Sequence, residues 1–288
     1  MLESCGKYKP GLPPLLWSHG NQSTFAGEIV AKSEISLHTS TDIMSPTVIL
    51  ITGANSGVGY ATSLVIANAS TDYHVIMAGR NEAKLKAAKT QIEALGTIKG
   101  TLSTLILEVT SEESIKSAAA WVEDKFGKLD VLINNAAVGS RDLRVCMEAN
   151  VWGPWFIAKT FRPLLFKSES PYSIYVSSVV GLLGPAADPK SPFYNGPPEA
   201  AGYRSSKSAL NMVMVEEFKD FKDTKLKSIA VCPGFVVSNL RGESEEARTG
   251  GGKAGDPMVS GQTILGIVQG KRDADLGCLV HKDGVYSW

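Results

Sequence analysis

The chain has 288 residues, 43% of them hydrophobic, and its 29 basic and 29 acidic side chains cancel to a formal net charge of +0. That content is ample for a globular core, and the balanced charge offers no field to gather nucleic acid or to hold the chain on an anionic membrane. No window approaches the roughly 18 apolar residues of a membrane helix, and Cys5, Cys146, Cys232 and Cys278 lack CxxC spacing, so the expectation is a cytoplasmic protein with free thiols and no bound metal.

Residues 1–43 mix Pro, Gly, Ser and Thr without a period of 2 or 3.6 and read as a disordered extension; residues 44–288 read as one domain. The run TVILIT (47–52) predicts a buried strand, followed by a helix from Gly57 to about Asn68 and a strand HVIMAG (74–79). A helix EAKLKAAKTQIEAL closed by Gly96, a strand LSTLIL (102–107), an amphipathic helix SEESIKSAAAWVEDKFG and a strand LDVLINNA (129–136) continue the alternation. Further strands are expected at YSIYVSS (172–178), LKSIAVCPG (226–234) and LGCLVH (276–281). Strands that are apolar throughout suit burial on both faces, and intervening helices supply parallel crossovers. The implied fold is α/β, a Rossmann-type doubly wound sheet of about seven parallel strands. Two stretches, 184–202 and 241–258, are rich in Pro and Gly or polar, and loops of that length are commonly functional lids or disordered segments.

The first strand runs straight into TGANSGVG (52–59). A helix that starts there presents unpaired N–H groups and a positive dipole end, which attract phosphate. Gly53 permits a tight turn, Gly57 lets a pyrophosphate approach the backbone, and Gly59 allows close packing. The spacing is GxxxGxG rather than GxGxxG, and no GK[ST] follows, so the turn is not a P-loop. An acidic residue about 20 positions on commonly holds the ribose 2′-OH of NAD; here Arg80 stands in GRN, 21 positions after Gly59, and a guanidinium suits a 2′-phosphate. NADP(H) is the expected cofactor. The lesser alternative is that Arg80 is only a solvated residue ahead of a helix capped by Asn81.

With its motifs in this order, the chain from Met44 onward resembles the classical short-chain dehydrogenase/reductase family, of the NADP(H)-dependent carbonyl reductase-like kind. TGANSGVG matches the family's TGxxxGxG turn. NNAA (134–137) resembles NNAG with Ala137 in place of glycine, and Asn150 in EANVWG, Ser178 in VSSVVG, YRSSK (203–207) and PGFVVS (233–238) fill the remaining positions. Of the eight tyrosines only Tyr203 has a lysine, Lys207, four residues on, a spacing that puts both on one helix face. A nearby cation is expected to lower the phenol's pKa and ease proton exchange with an alcohol.

The resemblance implies Tyr203 as general acid/base and Lys207 as its partner and a ribose ligand. It implies Ser178 as the holder of the substrate oxygen, with Ser177 the competing choice, and Asn150 as part of a proton relay, unless it is only a buried, satisfied amide. Cofactor contacts are implied for Gly53, Asn55, Ser56, Gly57, Val58, Gly59, Arg80, Asn134 and Ala136, and for Tyr203, Lys207, Pro233, Gly234, Val236 and Ser238, the last in place of the family's threonine. Glu108 stands where the family usually has Asp. The expected activity is reduction of a ketone or aldehyde, or the reverse, on a small-molecule carbonyl or alcohol. The rival is a dinucleotide-binding protein without redox turnover, regulatory or acting as a non-redox cyclase or isomerase. Phe193, Tyr194 and Phe235 could line an apolar pocket for an aromatic or polyketide-like substrate, or Phe193 and Tyr194 could merely anchor their loop. By resemblance the chain is expected to form a homodimer or homotetramer.

Overall fold

A computed structural model describes residues 45–195 and 200–288. The extension expected over 1–43 lies outside the described residues, as do residues 196–199 of the first long loop. Strand β1 (Thr47–Thr52) shows why the sheet is covered on both sides. Val48 and Leu50 belong to one hydrophobic core, Ile49 and Ile51 to another, and all four are at most 1% exposed. Successive side chains of a strand point to opposite faces, so a run without polar alternation needs apolar partners on each. Burying such a side chain is worth about 1.5–3 kcal/mol.

The partners follow in sequence. After β1 come α1 (Gly57–Ala69), β2 (Tyr73–Gly79), α2 (Glu82–Ala94), β3 (Thr101–Ile106), α3 (Glu112–Phe126) and β4 (Val131–Asn134). Then α4 (Leu143–Met147) runs through a π-helical turn, Glu148–Trp152, into α5 (Gly153–Leu165), followed by β5 (Tyr172–Val176) and α6 (Leu183–Ala187). Helix α7 (Ala201–Phe221), β6 (Lys227–Val231), α8 (Glu245–Thr249), α9 (Pro257–Val268), β7 (Leu279–His281) and β8 (Gly284–Tyr286) complete the order. Helices α3, α5 and α7 supply the core that holds Leu50, and α1, α2 and α9 the one that holds Ile51.

Among the described residues the sheet has eight strands in the order β3-β2-β1-β4-β5-β6-β7-β8, so direction of travel reverses between β1 and β4. At such a switch point the two flanking connections leave on opposite faces and open a crevice beyond the strands' carboxyl ends. The expected sheet of about seven parallel strands needs one correction. β8 pairs antiparallel with β7, His281 opposite Gly284, because the two residues between them are far too few for a crossover helix. The Asp283–Gly284 pair was the readable signal for a tight hairpin. The stretch 241–258, expected as a loop, contains α8, and Val236 pairs with Gly255 at its base. Among the described residues, no helix is long and apolar enough to cross a membrane.

Candidate active site

The turn from β1 into α1 is packed too closely to carry side chains. Gly53 has φ 65, and a Cβ there would lie 2.9 Å from Ala136 Cα; Gly57 has φ 54, and its Cβ would meet Ser238 Cβ at 3.0 Å. Gly59 is the tightest, since its Cβ would stand 2.4 Å from Gly53 O and 2.6 Å from Asn135 Nδ2. Its close approach is thus to the turn and to Asn135. Thr52 Oγ1 accepts from the main-chain N–H of Asn135 and of Ala136, both at 3.0 Å, and Asn135 Nδ2 donates to Thr52 O at 2.7 Å. Asn135, the second Asn of NNAA and not among the expected ligands, therefore ties the ends of β1 and β4 together. Asn134 is 2% exposed on β4 and does not line the cavity, whereas Asn135 does; neither atom of the Asn134 amide has a hydrogen-bond partner among the described residues.

Ser56 occupies the N-cap position of α1 in extended backbone, yet its side chain makes no capping hydrogen bond, and the first turn has no acidic residue. The leading N–H groups of α1 have no partner among the described residues. They face a cavity of about 700 Å³, one wall of which comprises Gly53, Asn55, Ser56, Gly57, Val58 and Ala136. Pro233, Gly234, Val236 and Ser238 line it after β6, Arg80 after β2, and Ser178, Tyr203 and Lys207 also border it. Of the expected site residues, Gly59, Asn134 and Asn150 stand behind the lining rather than in it.

Helix α7 presents Tyr203 and Lys207 one turn apart, with Lys207 Nζ 5.5 Å from the Tyr203 ring centroid. Lys207 is 2% exposed, and its Nζ donates to Val176 O at 2.9 Å, at the end of β5. Ser177 gives its hydroxyl to α7, on Asn211 Oδ1 and Lys207 O, and is 1% exposed. Among the described residues the Ser178 hydroxyl accepts only a long contact from Val180 N–H, 3.4 Å, and it sits in a partly exposed position. Gly181, three residues on, lies against α7: a Cβ would meet Lys207 C at 2.6 Å and Ser208 N at 2.7 Å. The SxxG spacing thus seats the turn bearing Ser178 directly on the helix bearing the Tyr–Lys pair.

Asn150, fully buried in the π-helical turn, accepts from Val138 N–H at 2.8 Å and donates to Val138 O and Ser206 Oγ, both at 2.9 Å. Ser206 in turn donates to Tyr203 O at 2.7 Å. The amide is a satisfied one that fixes the loop after β4 to the helix of Tyr203.

Electrostatics depart from the expectation in one respect. Burial pushes the Tyr203 phenol above its usual range, reinforced by Cys232 and Cys146 and opposed by Arg241, and Lys207 is not among the causes. The Lys207 ammonium is instead anchored on Val176 O, and burial, which disfavours the phenolate, is the first cause acting on Tyr203. Burial lowers Lys207 from 10.5 to about 8. The unfolded chain binds the extra proton between those values, so the buried ammonium weighs against folding below pH 8 and that burden lifts as pH rises toward 10.5.

At the far end of the cavity Arg80 stands exposed, its Nη1 3.8 Å from Glu108 Oε2, and Lys84 Nζ meets Glu243 Oε1 at 3.0 Å. Asn81 caps α2 by accepting from Lys84 N–H at 2.9 Å. The aromatic side chains expected to line a substrate pocket do not border this cavity. Phe193 packs against the core, with its carbonyl held by Arg204 Nη2 at 2.8 Å, Tyr194 is largely solvent-facing, and Phe235 lies under Arg241. Phe193 is thus the loop anchor.

Residues 47–249 match the family model described as short chain dehydrogenase. The chain belongs to the short-chain dehydrogenase family. It is 30% identical to the short-chain dehydrogenase/reductase tropE of Talaromyces stipitatus over 254 residues, 82% of this chain and 95% of that protein. It is 32% identical to the short-chain dehydrogenase/reductase eupG of a Phoma species over 255 residues, 78% and 91% of the two chains. In fold this short-chain dehydrogenase is similar to the NADPH-bound carbonyl reductase from chicken fatty liver, with a TM-score of 0.71 at 23% identity over 85% of this chain and all of that one.

Proposed function

We propose that this short-chain dehydrogenase is an NADPH-dependent reductase that converts a ketone or aldehyde to an alcohol, or runs the reverse oxidation, with Tyr203 as general acid/base. The observation that carries the reading is one cavity with two complementary walls: an uncapped helix start on a glycine turn, and a Tyr–Lys pair beside a serine hydroxyl. A dinucleotide fits the first wall, where side chains are excluded and the helix start has no cap among the described residues. Bound NADPH supplies the hydride.

The chain's own residues handle the oxygen and the proton. A phenol raised by burial is neutral at pH 7 and therefore a proton donor to an alkoxide forming beside it. Ser178, whose hydroxyl hydrogen has no partner among the described residues, donates to the same oxygen. Lys207, with one N–H on Val176 O, keeps two donors for the ribose and for the phenolate left after transfer. The Asn150 side chain is fully engaged, so it acts by positioning Tyr203 through Ser206, and any relay through this residue runs by its main chain. Preference for NADPH over NADH rests on Arg80, with Lys84 one turn later, and accords with solved relatives in fold that carry NADPH or NADP. The cytoplasm and a homodimer or homotetramer belong to the same reading. Exposed Leu143, Trp155 and Met212 on α4, α5 and α7 support assembly, and a strict monomer by light scattering would refute it.

The deciding experiment mixes protein, NADPH and a panel of ketones and aldehydes and follows loss of the reduced cofactor's absorbance. Tyr203→Phe is expected to lower kcat by about 10²–10⁴. Undiminished turnover in that variant would refute the mechanism.

A further inference from the structure

Six charged side chains border the cavity, and their signs are unevenly placed. At the end framed by Gly79 and Asn81, each cation has an acid: Arg80 lies 3.8 Å from Glu108, and Lys84 lies 3.0 Å from Glu243. Lys207 Nζ lies 5.5 Å from the Tyr203 ring and Arg241 lines the same cavity, while both lining carboxylates, Glu108 and Glu243, are already paired with Arg80 and Lys84. Arg241 is near enough to Tyr203 for each to shift the other's ionisation.

Arg241 is also held in a fixed pose. Its Nε donates to Ala247 O at 3.0 Å, and Nη2 donates to Val236 O at 2.8 Å and Arg248 O at 2.7 Å. The guanidinium lies 4.3 Å from the centroid of the Phe235 ring. Three main-chain carbonyls and one ring face immobilise the group but do not neutralise it, and Nη1 has no hydrogen-bond partner among the described residues. An immobilised guanidinium with an open amino edge has already given up its rotamer freedom, so an incoming carboxylate gains a charge-assisted hydrogen bond without paying for that order.

We propose that Arg241 is an anion anchor for the substrate, so that the preferred carbonyl compounds carry a carboxylate in addition to the group reduced. This rests on the reductase reading of the same cavity and adds the class of substrate. Neutral ketones are then poor substrates that bind weakly rather than react slowly.

The test uses 3- and 4-acetylbenzoate against 3- and 4-acetylbenzamide, pairs alike in shape and ketone that differ by one charge. With the full chain and NADPH, the better acid is expected to show a KM about tenfold below its amide, with similar kcat. In Arg241→Met the acid-to-amide ratio falls to about one, and in Arg241→Lys most of it returns. The ratio is taken within each variant, so a disturbed loop lowers both compounds together. Equal KM values for acid and amide in the unaltered enzyme, or a ratio that survives in Arg241→Met, overturn the anchor and leave the reductase reading intact. If none of the four is reduced, titration calorimetry of the same compounds on NADPH-loaded protein reads the same ratio, so absent turnover counts against the reductase reading alone.

Discussion

The starts of α1 and α3 are built from similar residues and do opposite things. Ser111, ahead of α3, accepts from Ser114 N–H at 3.2 Å, and Glu112 and Glu113 follow in the first turn, so that helix satisfies its own amides and its own dipole. Ser56, ahead of α1, caps nothing, and no acid follows. Helix α2 behaves like α3, with Asn81 as cap and Glu82 behind it. The difference is that α2 and α3 close their starts with a side-chain cap and an acid, whereas α1 starts uncapped on a glycine turn too tight for side chains.

Three substitutions press on that contrast. Gly59→Val strikes hardest, because its branched side chain would begin 2.4 Å from Gly53 O, with no flexible neighbour to give way. NADPH binding, followed by fluorescence titration, is expected to vanish, with a fall in Tm matching about 1–3 kcal/mol or more. Ser56→Asp converts the open start into a closed one like that of α3. It should raise the Tm of the cofactor-free protein, matching about 0.5–1 kcal/mol, while weakening NADPH roughly tenfold through repulsion of its phosphates. A shift of the two quantities in the same direction would break the comparison. Ser111→Ala is the mildest: a loss of about 1 kcal/mol by chemical denaturation with an unchanged Kd for NADPH.

The same contrast explains what could be read from the chain alone. β1 and the turn were legible because a fully apolar strand and a side-chain-free turn leave few alternatives, and TVILIT falls on β1 residue for residue. Tyr203 and Lys207 were legible because an i, i+4 pair on a helix shares a face whatever surrounds it. Asn135 was missed since its role lies in a bond to Thr52 O across 83 residues, which spacing does not encode. The upward direction of the Tyr203 shift was not legible for a related reason: a pair in sequence shows a neighbouring charge but not the burial of the phenol. Arg241 gave no motif at all, as its pose depends on carbonyls at Val236, Ala247 and Arg248 that meet only in the folded loop. The late hairpin was legible in Asp283–Gly284 yet hidden by the expectation that every strand in such a sheet runs one way.

That hairpin bears on how the protein behaves in a crowd of its own kind. A sheet of parallel strands ends on a rim of unpaired amides and carbonyls, to which a stray strand can add. Here the chain folds back over the rim with β8, three residues long and running against its neighbour, so the template left on that side is too short to recruit more than a passing contact.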